Sequence, residues 1–190
     1  MSEFSGPHFD AASVPADMEA LPRPIRTERL VLRRLTEDDA EFVYRLQSEP
    51  PFRRYIGDRG VHSVEDGRKY ILKGPAESYR RYHFGLLLVQ LAASGEPIGM
   101  SGLVKRVALT DVDLGFAFLS EHGSKGYAYE AAVALLRHAS DVVGLRRVVA
   151  ITSLDNGNSM RLLGKLGFRF ERRVRLVGDT EELNLFALSL

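Results

Sequence analysis

The stretch from Asp111 to Thr152 admits few folds. Residues 111–119 alternate strictly. Val112, Leu114, Phe116 and Phe118 fall on one side, and Asp111, Asp113, Gly115 and Ala117 on the other. That is the two-residue period of a strand. A small, polar turn follows from Ser120 to Gly126. Residues 127–143 then space Ala128, Ala131, Ala132, Leu135, Leu136, Ala139 and Val143 three and four apart, and Gly144 ends the run. This predicts a helix with one apolar face and a glycine stop. Residues 147–152 (Val148, Val149, Ala150, Ile151) read as a strand buried on both faces. Such a strand–helix–strand unit is parallel with a right-handed crossover.

The flanking chain reads as antiparallel. Residues 29–35 alternate as a strand. Thr36 with Asp39, and Ser63 with Asp66, resemble capping boxes with Asp in place of Glu. They predict helices to about Ser48 and from Val64 to about Lys73. Pro50-Pro51 is expected to stop the first and Gly74-Pro75 to break the second, with a further helical turn or two reaching Tyr82. Residues 83–91 and 98–104, joined by Ser94-Gly95-Glu96-Pro97, form a hairpin. Residues 156–166 are a short helix. Two last strands, 169–176 and 182–188, meet through Gly178-Asp179. The expected fold is a single mixed α/β domain over residues 25–190. It has a mostly antiparallel sheet of about seven strands, one parallel unit and about four helices. Residues 1–24, with four prolines and no periodicity, read as an extended, partly disordered tail.

Composition narrows the function. No run of about 18 apolar residues exists, so no spanning helix or membrane partner is expected. Residues 1–20 lack the basic start and apolar run of a secretory signal. The 190 residues contain no Cys, which excludes disulfides, thiolate metal sites and a cysteine nucleophile and fits a cytoplasmic protein. No histidine pair has metal-ligand spacing, so no metal is expected. With 26 basic and 25 acidic residues the net charge is +1, against nucleic-acid binding. Glu3, Asp10, Asp17 and Glu19 precede the first basic residue, so the body is mildly basic. That suits an anionic, phosphorylated cofactor, and equally an ordinary surface.

Two strand-to-helix turns are the places for chemistry. The turn Ser124-Lys125-Gly126 leads into Tyr127-Ala128. The first amides of a helix lack internal partners and carry the positive end of its dipole, so this turn either cradles phosphate or merely caps. At the second turn Asn156 or Ser159 caps the following helix or reaches a ligand lying along the sheet.

Together these segments resemble the GNAT superfamily of acetyl-coenzyme A dependent N-acetyltransferases, and most nearly its ribosomal-protein alanine N-acetyltransferase (RimJ/RimL-like) branch. The resemblance rests on Ser124-Lys125-Gly126-Tyr127-Ala128-Tyr129-Glu130-Ala131 after Gly115, and on Asn156, Ser159 and Lys165-Leu166-Gly167-Phe168. It rests also on the opening Thr27-Glu28-Arg29-Leu30-Val31-Leu32-Arg33 and on Pro97-Ile98-Gly99.

The resemblance implies transfer of an acetyl group from acetyl-coenzyme A to a primary amine, either a protein N-terminus or a small molecule. It implies pyrophosphate on the amides of Ser124, Lys125, Gly126, Tyr127 and Ala128, and a pantetheine arm beside Phe118 and Leu119. Asn156 and Ser159 would reach the arm or sulfur. Ser159 is a candidate proton donor to the leaving thiolate. Asp113 is a candidate base, as are Glu121 and His83. Tyr55, Tyr79 and Tyr82 are candidates to line the acceptor pocket. The sequence departs from the family pattern at five positions. Gly123 stands at the first position of the Arg/Gln-x-x-Gly-x-Gly/Ala turn, Ser124 replaces a glycine of it, Tyr129 replaces a small Thr or Ser, Leu163 stands where many members carry a Tyr proton donor, and Ile151 stands where a carboxylate is frequent. The alternative is a non-catalytic acyl-coenzyme A binding module of the same fold. The apolar end 183–190 also suits a homodimer through the last strands.

Overall fold

The computed structural model describes residues 23–176 and 181–190. The expected tail, apart from Arg23 and Pro24, and the Gly178-Asp179 turn lie outside the described residues.

Eight strands form one sheet in the order β1-β2-β3-β4-β5-β6-β8-β7. They are β1 (Ile25–Arg26), β2 (Leu30–Arg34), β3 (Leu86–Leu91), β4 (Pro97–Val104), β5 (Val112–Phe118), β6 (Arg147–Ser153), β7 (Arg169–Val174) and β8 (Leu183–Ser189). Every neighbouring pair is antiparallel except β5/β6. The two-residue β1 is the strand beyond the expected seven.

The helices are α1 (Ala40–Ser48), α2 (Pro50–Tyr55), α3 (Val64–Ile71), α4 (Glu77–Tyr82), α5 (Tyr127–Asp141) and α6 (Gly157–Lys165). Two proline expectations need correction. Pro50-Pro51 ends α1 but also starts α2, because a helix tolerates proline in its first turn, where no amide partner is lost. Gly74-Pro75 does not break the second helix. A π-helical turn, Leu72–Ala76, carries Pro75 inside it and joins α3 to α4. His83, in the left-handed region at φ 61, caps α4, so β3 starts at Leu86 rather than at 83.

The alternation of β5 divides the core. Val112, Leu114, Phe116 and Phe118 face a cluster with Ala131, Ala132, Leu135 and Ala139 of α5 and Leu163 of α6. Ala117 on the opposite side joins Leu46 of α1, Ile71 of α3 and Phe52 of α2. A Cβ at Gly102 would collide with the Gly85 carbonyl, so β3 and β4 approach closely only as glycines. β8 lies inside the sheet between β6 and β7, with Leu185 and Phe186 buried.

Candidate functional site

β5 and β6 pair only at Val112–Val148 and Asp113–Val149. β5 then follows β4 to Phe118, and β6 follows β8 to Ser153. The two strands therefore part, and their facing edges from Leu114 and Ala150 onward have no strand partner. Unpaired strand edges in a protein interior accept an extended ligand that supplies the missing hydrogen bonds. Asp113 marks the base of this fork.

The mouth of the fork opens on the turn before α5. Ser124 (φ 59) and Gly126 (φ 82) both adopt left-handed conformations. The amides of residues 124–128 donate to no acceptor among the described residues, and the α5 ladder starts at Glu130. Successive free amides at a helix start form an anion-binding nest. Ser124, which replaces a glycine, holds the left-handed conformation nonetheless, so the nest survives that departure.

The turn is braced from the far end of the chain. Arg29 Nη1 donates to the Lys125 carbonyl at 3.0 Å, and its Nε donates to Glu130 Oε2 at 2.7 Å. Glu130 Oε1 also accepts from the Arg29 amide and the Thr27 hydroxyl. The guanidinium lies 4.7 Å from the centre of the Tyr127 ring. Thr27, Arg29 and Glu130 were not among the expected site residues. The signal in the sequence was an acidic residue in the first turn of α5, where the helix dipole favours it.

Asn156 caps α6, its Oδ1 accepting from the Ser159 amide at 3.1 Å. Its oxygen is thus committed to the helix, and Ser159 sits half-buried in the first turn. Leu163 is fully buried in the main core, so no hydroxyl is offered there.

On the opposite side, α1 and α2 are tied to the end of β5. Glu49 accepts from the Ser120 amide and hydroxyl, and Arg45 pairs with Glu121 at 2.8 Å. Arg54 of α2 pairs with Asp155 after β6 at 2.8 Å, a strap between the two halves.

The candidate bases and tyrosines separate clearly. Asp113 is 1% exposed, receives Arg106 Nε at 2.6 Å on Oδ2, and its carboxyl also faces the Ile151 amide. Burial pushes its carboxyl above the usual range, against the pull of Arg106. Glu121 belongs to the turn Ser120–His122, and His83 is a helix cap. Tyr79 does not line a pocket: it is 4% exposed and donates to the Leu86 carbonyl, and burial raises its hydroxyl to about 12. Tyr82 stacks on Phe84 in the core, whereas Tyr55 is half-buried at the end of α2. The fold also brings His122 to 3.3 Å from Glu96 and 3.5 Å from Glu121, a grouping of possible metal donors that spacing along the chain did not reveal.

A mixed α/β sheet that forks at its one parallel pair, with an amide nest at the mouth of the fork, defines the fold class. Comparison with known proteins gives the family. Residues 29–169 match the acetyltransferase (GNAT) domain, and the chain belongs to that family. It is 28% identical over 153 residues to the uncharacterized N-acetyltransferase YoaA of Bacillus subtilis (strain 168), covering 80% of this chain and 85% of YoaA. An acetyltransferase from Agrobacterium tumefaciens str. C58 superposes with a TM-score of 0.76 at 25% identity, covering 89% of this chain and 95% of that one. RimL, a ribosomal L7/L12 alpha-N-protein acetyltransferase solved with coenzyme A, shares the fold (TM-score 0.71, 19% identity, 88% and 98% covered). Among the described residues no helix is long and apolar enough to cross a membrane.

Proposed function

We propose that this protein transfers an acetyl group from acetyl-coenzyme A to a primary amine by direct attack within a ternary complex, in the cytoplasm. The observation that carries the reading is the fork between β5 and β6 opening onto the free amides of 124–128. Those residues fit the donor substrate. Ser124, Lys125, Gly126, Tyr127 and Ala128 hold the pyrophosphate, and the free edge of β5 up to Phe118 takes the pantetheine arm; Leu119, whose amide donates to Ile98 and whose carbonyl accepts from His122, shapes the wall without a free backbone group. RimL's coenzyme A complex supports a coenzyme A site in this fold.

The donor supplies a thioester; the amine nitrogen bonds to its carbonyl carbon as the carbon–sulfur bond breaks. The protein's part is largely alignment, which alone supplies several kcal/mol. A free amide on the β5 edge polarises the carbonyl oxygen. Ser159 donates a proton to the departing thiolate. The proton lost by nitrogen passes to solvent, because Asp113, 1% exposed and engaged by Arg106, is sealed from it.

The test is calorimetric titration with acetyl-coenzyme A, comparing the wild type with Gly126→Glu, followed by an assay of thiol release with an amine panel. Micromolar binding lost in the variant, with turnover, supports the reading. Absence of binding to the folded protein overturns it. The buried Leu163 at the usual donor position favours a second reading, an acyl-coenzyme A binding module. Binding without thiol release across the panel would decide for it.

A further inference from the structure

The turn that leads toward the amide nest carries a histidine that acetyl transfer does not use. His122 closes the short turn Ser120–His122 after β5. Its side chain is only 10% exposed, yet neither ring nitrogen has a hydrogen-bond partner. Two carboxylates stand beside it all the same. Nε2 lies 3.3 Å from Glu96 Oε1 and 3.5 Å from Glu121 Oε1, and the donor atoms of all three residues lie within 4.8 Å of one another.

These separations are long for an N–H···O bond, which is commonest at about 2.9–3.0 Å. They suit a shared ion better. Zinc binds imidazole nitrogen and carboxylate oxygen at about 2.0–2.2 Å, so two ligand atoms of a tetrahedral ion stand about 3.3–3.6 Å apart. A histidine nitrogen without a hydrogen bond, flanked by carboxylate oxygens at that spacing, has the geometry of three tetrahedral corners. The fourth is open to water.

The donors ride on rigid backbone. Glu96 sits in the β3–β4 turn, where its carbonyl accepts from the Leu91 amide at 2.9 Å and its amide donates to Ser94 Oγ at 3.2 Å. The His122 amide donates to the Leu119 carbonyl at 3.0 Å, and the Leu119 amide to the Ile98 carbonyl at 2.9 Å. Pairing of Gly99 with Phe118 thus carries the two turns side by side. Ligands placed by paired strands are held more precisely than ligands on free loops. Both glutamates are exposed, so an ion reaches Nε2 by moving two surface side chains and not the core.

The donor set selects the ion. One imidazole and two carboxylates, in a chain without Cys, suit Zn²⁺ or a similar divalent transition metal. Mg²⁺ and Ca²⁺ prefer shells of six or more oxygens. One cation competes for the site, because Arg45 Nη2 donates to Glu121 Oε1 at 2.8 Å.

We propose that Glu96, Glu121 and His122 bind a divalent transition-metal ion of the zinc type, which clamps the β3–β4 turn to the turn before α5. The ion takes no part in the acyl chemistry. It fixes the chain just ahead of residues 124–128, and the site stands whether or not the protein transfers acetyl groups.

The experiment titrates Zn²⁺ alone into the full chain, freed of metal by a chelator, with Mg²⁺ as the contrast. One equivalent of zinc is expected to bind in the micromolar range or tighter. At a zinc concentration a hundredfold above Kd, Tm should rise by about 5–10 °C. Glu96→Gln and His122→Asn should each weaken zinc at least tenfold, and Arg45→Gln, which removes the competing cation, should tighten it about threefold. Melts of each variant without metal confirm that it is folded, and Glu96→Gln changes only an exposed side chain of a turn. Absence of zinc binding, equal binding of Mg²⁺, or an affinity unchanged in both Glu96→Gln and His122→Asn overturns the site. The last result would place the zinc adventitiously on other histidines. An affinity that Arg45→Gln leaves unchanged overturns Glu121 as a ligand.

Discussion

Arg29 and Glu130, 101 residues apart in the chain, meet at 2.7 Å and hold the amide nest against the start of β2. Glu130 is the hub, because it also accepts from the Thr27 hydroxyl and the Arg29 amide. Partial burial pushes its carboxyl up, but these bonds and the guanidinium outweigh that and hold it below the usual range. A carboxyl with a depressed folded pKa stabilises above its unfolded value and loses that contribution as pH falls through the folded one.

Glu130→Gln is therefore expected to lower stability at pH 7 by about 1 kcal/mol, a modest figure because Arg29 is 44% exposed. The difference from wild type should shrink as the pH is taken below about 4. Urea unfolding at several pH values reads this directly. A difference independent of pH would remove the charged bond from the account. In the same variant KM for acetyl-coenzyme A should rise more than kcat falls, since the nest loses its brace.

Gly126 stands at φ 82, with Arg29 Nη2 3.4 Å from where a Cβ would lie. Gly126→Ala should cost about 1 kcal/mol through backbone strain and weaken acetyl-coenzyme A only moderately. Gly126→Glu adds negative charge where the pyrophosphate is expected, and should weaken binding at least a hundredfold at a similar cost in stability. Calorimetry and thermal melts on the two variants separate charge from strain. Equal loss in both would mean that the loop shape alone matters.

Asn156 and Ser159 sit three residues apart but do different work. Asn156→Ala removes the α6 cap and should lower stability by about 1 kcal/mol. Ser159→Ala leaves the cap intact because only its amide is used there. It should lower kcat roughly tenfold without moving Tm or the KM for acetyl-coenzyme A. An unchanged kcat in Ser159→Ala would remove the hydroxyl from the reaction.

Asp113 titrates in the opposite sense to Glu130. Its folded pKa is raised, so its contribution is fully present below the ordinary carboxyl range and declines as pH rises through the folded value. Asp113→Asn should gain stability relative to wild type between pH 4 and 7 and leave kcat unchanged. Arg106→Ala leaves the buried carboxylate unpaired and should cost about 3–5 kcal/mol. Denaturant titrations across that pH range check both signs.

The candidate site was unevenly legible. Gly126, Ser159 and the strand pattern through Phe118 were readable because turn chemistry and two-residue alternation are local properties. Tyr79 was misassigned, since nothing local distinguishes a tyrosine whose hydroxyl donates to the Leu86 carbonyl from one that faces a pocket. Pro75 was misread as a breaker because a π-helical turn, which the flanking packing supports, accommodates it. Arg29 had no assigned role, because its partner Glu130 lies 101 residues away.

The sequence by itself determined the parallel β5–α5–β6 unit, the two turns that start α5 and α6, and the family pattern they carry. Each follows from periodicity, caps and glycines within about 20 residues of one another. Only the tertiary structure decided that Arg29 braces the nest, that Arg54 ties α2 to Asp155, and that Arg106 meets Asp113 at the base of the fork. Those are meetings between distant segments. They are set by how α1–α4 pack on one face of the sheet and α5 on the other, and no local propensity encodes them.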